Sequence, residues 1–125
     1  MPRRTILYAE DHATVRLAVR DRLEMAGWTV EACADGRVAL AALLSEARYD
    51  LLLFDNDLPG LSGLELTERA RTLAHRRETP VVVISASECA LEARRAGADL
   101  FLRKPDDIGR IAELIARLFE RRGEA

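Results

Sequence analysis

The stretch YDLLLFDNDLPGLSG, residues 49–63, decides the fold. Leu51–Phe54 is a continuous apolar run, bounded by Asp50 before it and by Asp55, Asn56 and Asp57 after it. A run this short, without polar alternation, is expected of a strand buried on both faces. Such strands belong to parallel sheets, whose neighbours are joined by crossover helices. Gly60 and Gly63 supply the turn by which the chain leaves the strand end.

Outward from this stretch the same grammar repeats. Strands are expected at Thr5–Ala9, Thr29–Cys33, Leu51–Asp55, Val81–Ser85 and Leu100–Leu102. Helical spacing lies between and after them. The first helix carries Val15, Ala18, Val19, Leu23 and Ala26, and the second Leu40, Leu43, Leu44 and Ala47. The third is weaker, with Leu66, Ala70 and Leu73, and the fourth, around Cys89–Ala96, is short. The last has Ile108, Ile111, Ala112, Ile115, Leu118 and Phe119 on one face, with Arg121–Ala125 as a frayed end. Gly27 and Gly97 stand where helices should stop. Five βα units in series predict one α/β domain over residues 1–125, a parallel sheet with helices on both faces. Ligands of such sheets bind past the carboxyl ends of the strands.

Composition narrows the function classes. The 125 residues carry a net charge of −2, with 49% hydrophobic and 32% charged residues. That balance offers no pull toward nucleic acid or a membrane surface. No apolar run is long enough to span a bilayer, and Met1–Tyr8 lacks a signal-peptide core, so a cytoplasmic location is expected. Cys33 and Cys89 have no metal-ligand spacing and are expected to be buried free thiols. Of 19 basic residues, Lys104 is the sole lysine. An ammonium is a compact charge on a slim stem, which a guanidinium cannot replace in a tight site.

The strand ends hold the chemistry. Glu10 and Asp11 follow the first strand, Asp55, Asn56 and Asp57 end the third, Ser85 and Ala86 the fourth, and Lys104 and Pro105 the fifth. Each alone has an ordinary reading: Asp11 as a helix cap, Ser85 as a backbone partner, Lys104 as surface charge. Together at one sheet edge they mean more. Three crowded carboxylates repel unless a cation joins them. Mg²⁺, or Mn²⁺, takes oxygen ligands and one or two carboxylates, here Asp11 and Asp55 directly and Glu10 through water. A loop carbonyl after Asp55 completes such a shell. The ion would hold a phosphoryl oxygen in line with Asp55, while Lys104 and Ser85 donate to the others and the small Ala86 leaves room.

These residues resemble the receiver domains of two-component response regulators, chemotaxis regulators included. The likeness rests on ILYAED, YDLLLFDNDLPGLSG, PVVVISA and GADLFLRKP, in that order. It implies a flavodoxin-like, doubly wound sheet of order 2-1-3-4-5 with five helices. It implies that Asp55 accepts a phosphoryl group from the phosphohistidine of a sensor histidine kinase or a histidine phosphotransfer protein. Glu10, Asp11, Asp55 and the carbonyl of Asp57 would hold the metal, Ser85 and Phe101 would form the switch, and Pro105 would follow a cis bond. The switched surface would be helix 4, strand 5 and helix 5, acting on a protein target. Direct contact with DNA by these residues is not expected. A monomer, or a weak homodimer linked to phosphorylation, is expected. The chain would be no enzyme beyond its own phosphorylation and dephosphorylation.

The sequence departs from that pattern at a few places. Glu10 stands where aspartate is also frequent, and Phe101 lacks the hydroxyl of the frequent tyrosine. Asp106 stands where a bulky apolar residue often follows. Ser85 and Lys104 are 19 positions apart, about one helical turn short of the family pattern, which places the shortening near Ser87 and the fourth helix. Two other readings stay open. The D-x-D of Asp55 and Asp57, with Asp106 and Asp107 as a second acidic pair, is similar to that of small aspartate-nucleophile phosphatases. A degenerate receiver would bind partners without phosphorylation. His12 and His75 are expected at the solvated surface, His12 near the pocket edge and His75 in a basic loop with Arg76 and Arg77, and Asp106 and Asp107 at the start of the last helix.

Overall fold

The computed structural model describes residues 3–123. Its elements are β1 (Thr5–Ala9), α1 (Ala13–Met25), β2 (Thr29–Cys33), α2 (Gly36–Leu44), β3 (Leu51–Asp55), α3 (Gly63–Thr72), β4 (Val81–Ser85), α4 (Ala90–Ala96), β5 (Leu100–Arg103) and α5 (Ile111–Arg121), with a 3-10 turn at Ile108–Arg110 before α5. All strand pairs are parallel and the sheet order is β2-β1-β3-β4-β5. This is the flavodoxin-like arrangement. β5 runs one residue beyond the expected Leu102, because Arg103 still pairs with Ser85.

Strand side chains alternate between two cores. Ile6, Tyr8, Leu51, Leu53, Val82 and Ile84 meet Val19 and Leu23 of α1 and Ile111, Ile115, Leu118 and Phe119 of α5. Leu7, Ala9, Leu52, Phe54, Val81 and Val83 meet Ala39 and Leu43 of α2, Leu66 and Ala70 of α3, and Ala93 of α4. Every residue of β3 and β4 is buried, as expected of central strands with helices on both sides. Full burial of each large aliphatic side chain contributes about 1.5–3 kcal/mol.

The helix ends show where the sequence reading was too simple. The buried stripe of α2 is Ala39 and Leu43, one helical turn apart, while Leu44 is exposed. The helix stops at Leu44, so Ala47 falls outside it. Ala18 and Ala26 are likewise exposed. Arg76, in the basic loop after α3, is buried: it donates to the carbonyls of Leu43 at 3.1 Å, Ala42 at 3.2 Å and Ser45 at 2.9 Å, and its guanidinium lies 4.8 Å from the Tyr49 ring centre. His75 is exposed, yet its Nε2 lies 3.0 Å from the Leu43 carbonyl. A cation at a helix C-terminus satisfies carbonyls that have no partner inside the helix. Gly27, just after α1, and Gly97, just after α4, have φ of 100° and 109°, which L side chains rarely adopt.

Both cysteines are free, but only Cys89 is buried; Cys33 is half-buried as the last residue of the edge strand β2. Among the described residues no helix is long and apolar enough to cross a membrane.

Candidate functional site

Parallel register delivers the strand ends to one edge. Ala9 pairs with Phe54, Asp55 with Ile84, and Ser85 with Arg103, so Glu10, Asp55, Ser85 and Lys104 emerge side by side. The backbone ladder continues beyond the strands. Glu10 N donates to Cys33 O at 2.9 Å, Asn56 N to Ile84 O at 2.9 Å, and Lys104 N to Ser85 O at 3.0 Å. The side chains therefore project from held backbone.

Glu10 and Asp55 are buried and Asp11 is exposed. One carboxylate oxygen from each lies within 4.8 Å of the others. Oxygens on opposite sides of a Mg²⁺ stand about 4 Å apart, so small movements close this cluster on an ion. Lys104 Nζ enters the same space, 2.9 Å from Asp55 Oδ2 and 2.7 Å from Glu10 Oε1. The ammonium thus bridges Glu10 and Asp55, two buried carboxylates that one cation does not neutralise. With Asp11 beside them, the oxygen-rich cluster suits a divalent cation.

The electrostatics follow from the crowding. Burial, and then the neighbouring Asp55 carboxyl, push Glu10 up to about 7, while Lys104 pulls the other way. Burial alone would lower the Lys104 pKa, but its bonds and charge contacts with Glu10 and Asp55 outweigh that and raise it. Lys104 is therefore a firm cation.

Further groups brace the site. Arg16 on α1 donates to the carbonyls of Glu10 at 2.9 Å and Asp11 at 3.3 Å. Asp57 N donates to Asp55 Oδ1 at 3.1 Å, and Gly63 packs so near the strand end that a Cβ there would stand 2.7 Å from Asp55 O. The Asp57 side chain is engaged too: Ser85 Oγ lies 3.4 Å from Asp57 Oδ2 and accepts from Ser87 N at 3.1 Å. Tyr8 lies within the core of the α1 side, its hydroxyl buried without a partner, and burial with the charges of Glu10 and Asp55 raises its pKa. The sequence reading missed Arg16, the Asp57 side chain and Tyr8. Arg16 alone carried a signal, as a cation one turn into the helix after the acidic pair.

The remaining expected residues are placed as follows. Phe101 is half-buried on β5, packed against the α2–α4 core. The Lys104–Pro105 bond is cis. His12 rather than Asp11 caps α1, its Nδ1 accepting from Val15 N at 3.4 Å. Asp107 gives the last helix no side-chain cap; it turns back and accepts from Arg103 N at 2.8 Å. Neither Asp106 nor Asp107 joins the acidic cluster, so the second acidic pair of the phosphatase reading is missing from it.

Comparison with known proteins agrees with this geometry. The family model of the response regulator receiver domain matches residues 6–116. The sensory/regulatory protein RpfC of Xanthomonas campestris is 33% identical over 118 residues, covering 90% of this chain and 16% of RpfC. The chain thus spans about a sixth of that relative's length. Among solved structures, the chemotaxis response regulator CheY4 of Vibrio cholerae superposes with a TM-score of 0.86 at 28% identity, over 94% of this chain and 99% of CheY4. The receiver domain of a sensor histidine kinase from Pseudomonas aeruginosa, with a magnesium ion coordinated in its active site cleft, gives 0.83 at 26% identity, over 95% and 99%.

Proposed function

The chain belongs to the response regulator receiver domains, and from that premise we propose that it is a phosphorylation switch with Asp55 as phosphoacceptor. The observation that carries this reading is the buried Asp55 carboxylate, held 2.9 Å from the Lys104 ammonium inside the cluster of Glu10 and Asp11. A carboxylate oxygen of Asp55 forms a bond to phosphorus. The phosphorus–nitrogen bond to the donor histidine breaks, and its electron pair returns to the imidazole. Lys104 stays protonated through the transfer and pairs with the added charge. Ser85, at the end of β4, supplies a hydroxyl donor once it leaves Asp57.

Glu10, Asp11, Asp55 and the carbonyl of Asp57 would hold Mg²⁺ or Mn²⁺. When bound, the ion supplies positive charge for the phosphoryl oxygens. The magnesium in the cleft of the related kinase receiver supports the choice of metal. The donor is a sensor histidine kinase or a histidine phosphotransfer protein, a reading supported by the kinase-borne receiver among its neighbours. The output is a protein target met through α4, β5 and α5. The chain turns over no phosphoryl group other than the acyl phosphate on its own Asp55.

The test uses intact-protein mass spectrometry with Mg²⁺ and a small acyl phosphate. The native chain gains one phosphoryl group, and Asp55→Asn gains none. A native chain that binds Mg²⁺ yet shows no mass increase leaves only the phosphorylation-independent module.

A further inference from the structure

Arg103 and Lys104 are neighbours that go to different places. Lys104 enters the acidic cluster, whereas Arg103 reaches over the connection between β4 and α4, residues 86–89, which follows Ser85 directly. Arg103 Nη2 donates to Ala86 O at 3.2 Å, and Nη1 pairs with Glu88 Oε2 at 3.1 Å. The other Glu88 oxygen accepts from Ala90 N at 3.0 Å. One carboxylate thus ties the loop both to β5 and to the first residue of α4. The backbone beneath Arg103 is itself held, since Asp107 accepts from its N–H at 2.8 Å.

Two details show that this contact constrains the loop and is more than surface decoration. Arg103 Nε is buried without a partner, so the guanidinium is desolvated on its inner side while its outer nitrogens grip the loop. And the gripped loop holds the Ser85 hydroxyl, which accepts from Ser87 N at 3.1 Å and faces Asp57 Oδ2 at 3.4 Å. To donate to a phosphoryl group on Asp55, that hydroxyl has to turn its single proton away from Asp57, and the bond from Ser87 N fixes where its oxygen sits. Ser87 lies between Ala86 and Glu88, the two residues Arg103 holds.

We propose that Arg103 is a positioning residue for the switch: by clamping Ala86 and Glu88 it holds the β4–α4 loop, and through Ser87 the Ser85 hydroxyl, in the arrangement turned away from Asp55. The proposal rests on the phosphoacceptor reading above. The clamp favours the resting state, so it weakens affinity for any group that needs Ser85 at Asp55. The side chains of Arg103 and Glu88 are 39% and 65% exposed. An ion pair that open to solvent shifts affinity by roughly 2- to 5-fold.

The measurement is calorimetric titration with beryllofluoride, a phosphoryl mimic, in saturating Mg²⁺. Glu88→Gln keeps an oxygen for Ala90 N but loses the charge, and Arg103→Gln loosens the other side. Each is expected to bind beryllofluoride roughly 2- to 5-fold more tightly than the native chain. The double variant should gain no more than either single one. With Ser85→Ala as background the gain should vanish, because the clamp then has no hydroxyl to hold. A part confined to packing would lower Tm and leave beryllofluoride affinity unchanged; that result, or weaker binding, overturns the clamp. A native chain that binds no beryllofluoride overturns the phosphoacceptor reading itself, whereas a native chain that binds with unchanged variants overturns the clamp alone.

Discussion

Raising the pH in the presence of EDTA destabilises this protein, and Glu10 sets the size of the loss. Its carboxyl titrates at about 7 in the folded chain, against 4.5 for the free side chain. The folded state therefore holds this proton more tightly than the unfolded state does. The stability that follows is fully present below about 4.5 and is lost as pH rises through about 7. At about 1.4 kcal/mol per pH unit, the loss is about 3 kcal/mol at most. That is a large share of the 5–15 kcal/mol typical of a domain, on the order of a fifth to three fifths. Mg²⁺ acts in the opposite sense, because it binds the ionised carboxylates. At 100 times its Kd it adds about 2.7 kcal/mol, mostly on the alkaline side. Urea unfolding between about pH 5 and pH 8 would be followed by the fluorescence of Trp28, whose ring lies 5.5 Å from Phe119 against the α1–α5 core. The native chain should lose stability with pH in EDTA and regain it in Mg²⁺, while Glu10→Gln should lose the pH slope in EDTA and gain less from Mg²⁺, which Asp11 and Asp55 still bind. A Glu10→Gln variant with the native pH slope would refute the reasoning, since the slope would then belong to other groups.

Arg76→Ala should cost about 2–4 kcal/mol, because three carbonyls at the end of α2 lose a charged donor within the fold. Mg²⁺ affinity should be unchanged, and a loss below about 0.5 kcal/mol in urea unfolding would show that water replaces the guanidinium freely. Gly63→Ala places a Cβ 2.7 Å from Asp55 O, against backbone that has little freedom to yield. It should destabilise by about 1–3 kcal/mol and also weaken Mg²⁺ binding by calorimetry, whereas a stability loss with native Mg²⁺ affinity would mean that the strain relaxes away from Asp55.

Much of this protein was legible in one dimension. The apolar run Leu51–Phe54 announces a strand covered on both faces, and the repeated βα grammar announces a parallel sheet. In such a sheet chemistry gathers at the carboxyl edge, so Glu10, Asp11, Asp55, Ser85 and Lys104 stand out from the sequence itself. Periodicity carries this information because it reports burial, and burial follows from the hydrophobic effect acting on whole faces.

What the sequence did not carry was pairing between side chains distant along the chain. Arg76 reads as one more arginine in a basic loop, and only the meeting of that loop with the end of α2 turns it into a buried cap. Asp107 reads as a helix-start residue, yet the turn after Pro105 brings its carboxylate back to Arg103 N. Arg103 itself stands beside the sole lysine and gives no hint that it holds Ala86 and Glu88. Sequence alone determined the sheet, its faces and the edge where the carboxylates meet, because these depend on repeated patterns of burial. Tertiary structure alone decided which polar groups are satisfied by which, because hydrogen bonds and ion pairs are made over a few ångströms in space and leave no period in the chain.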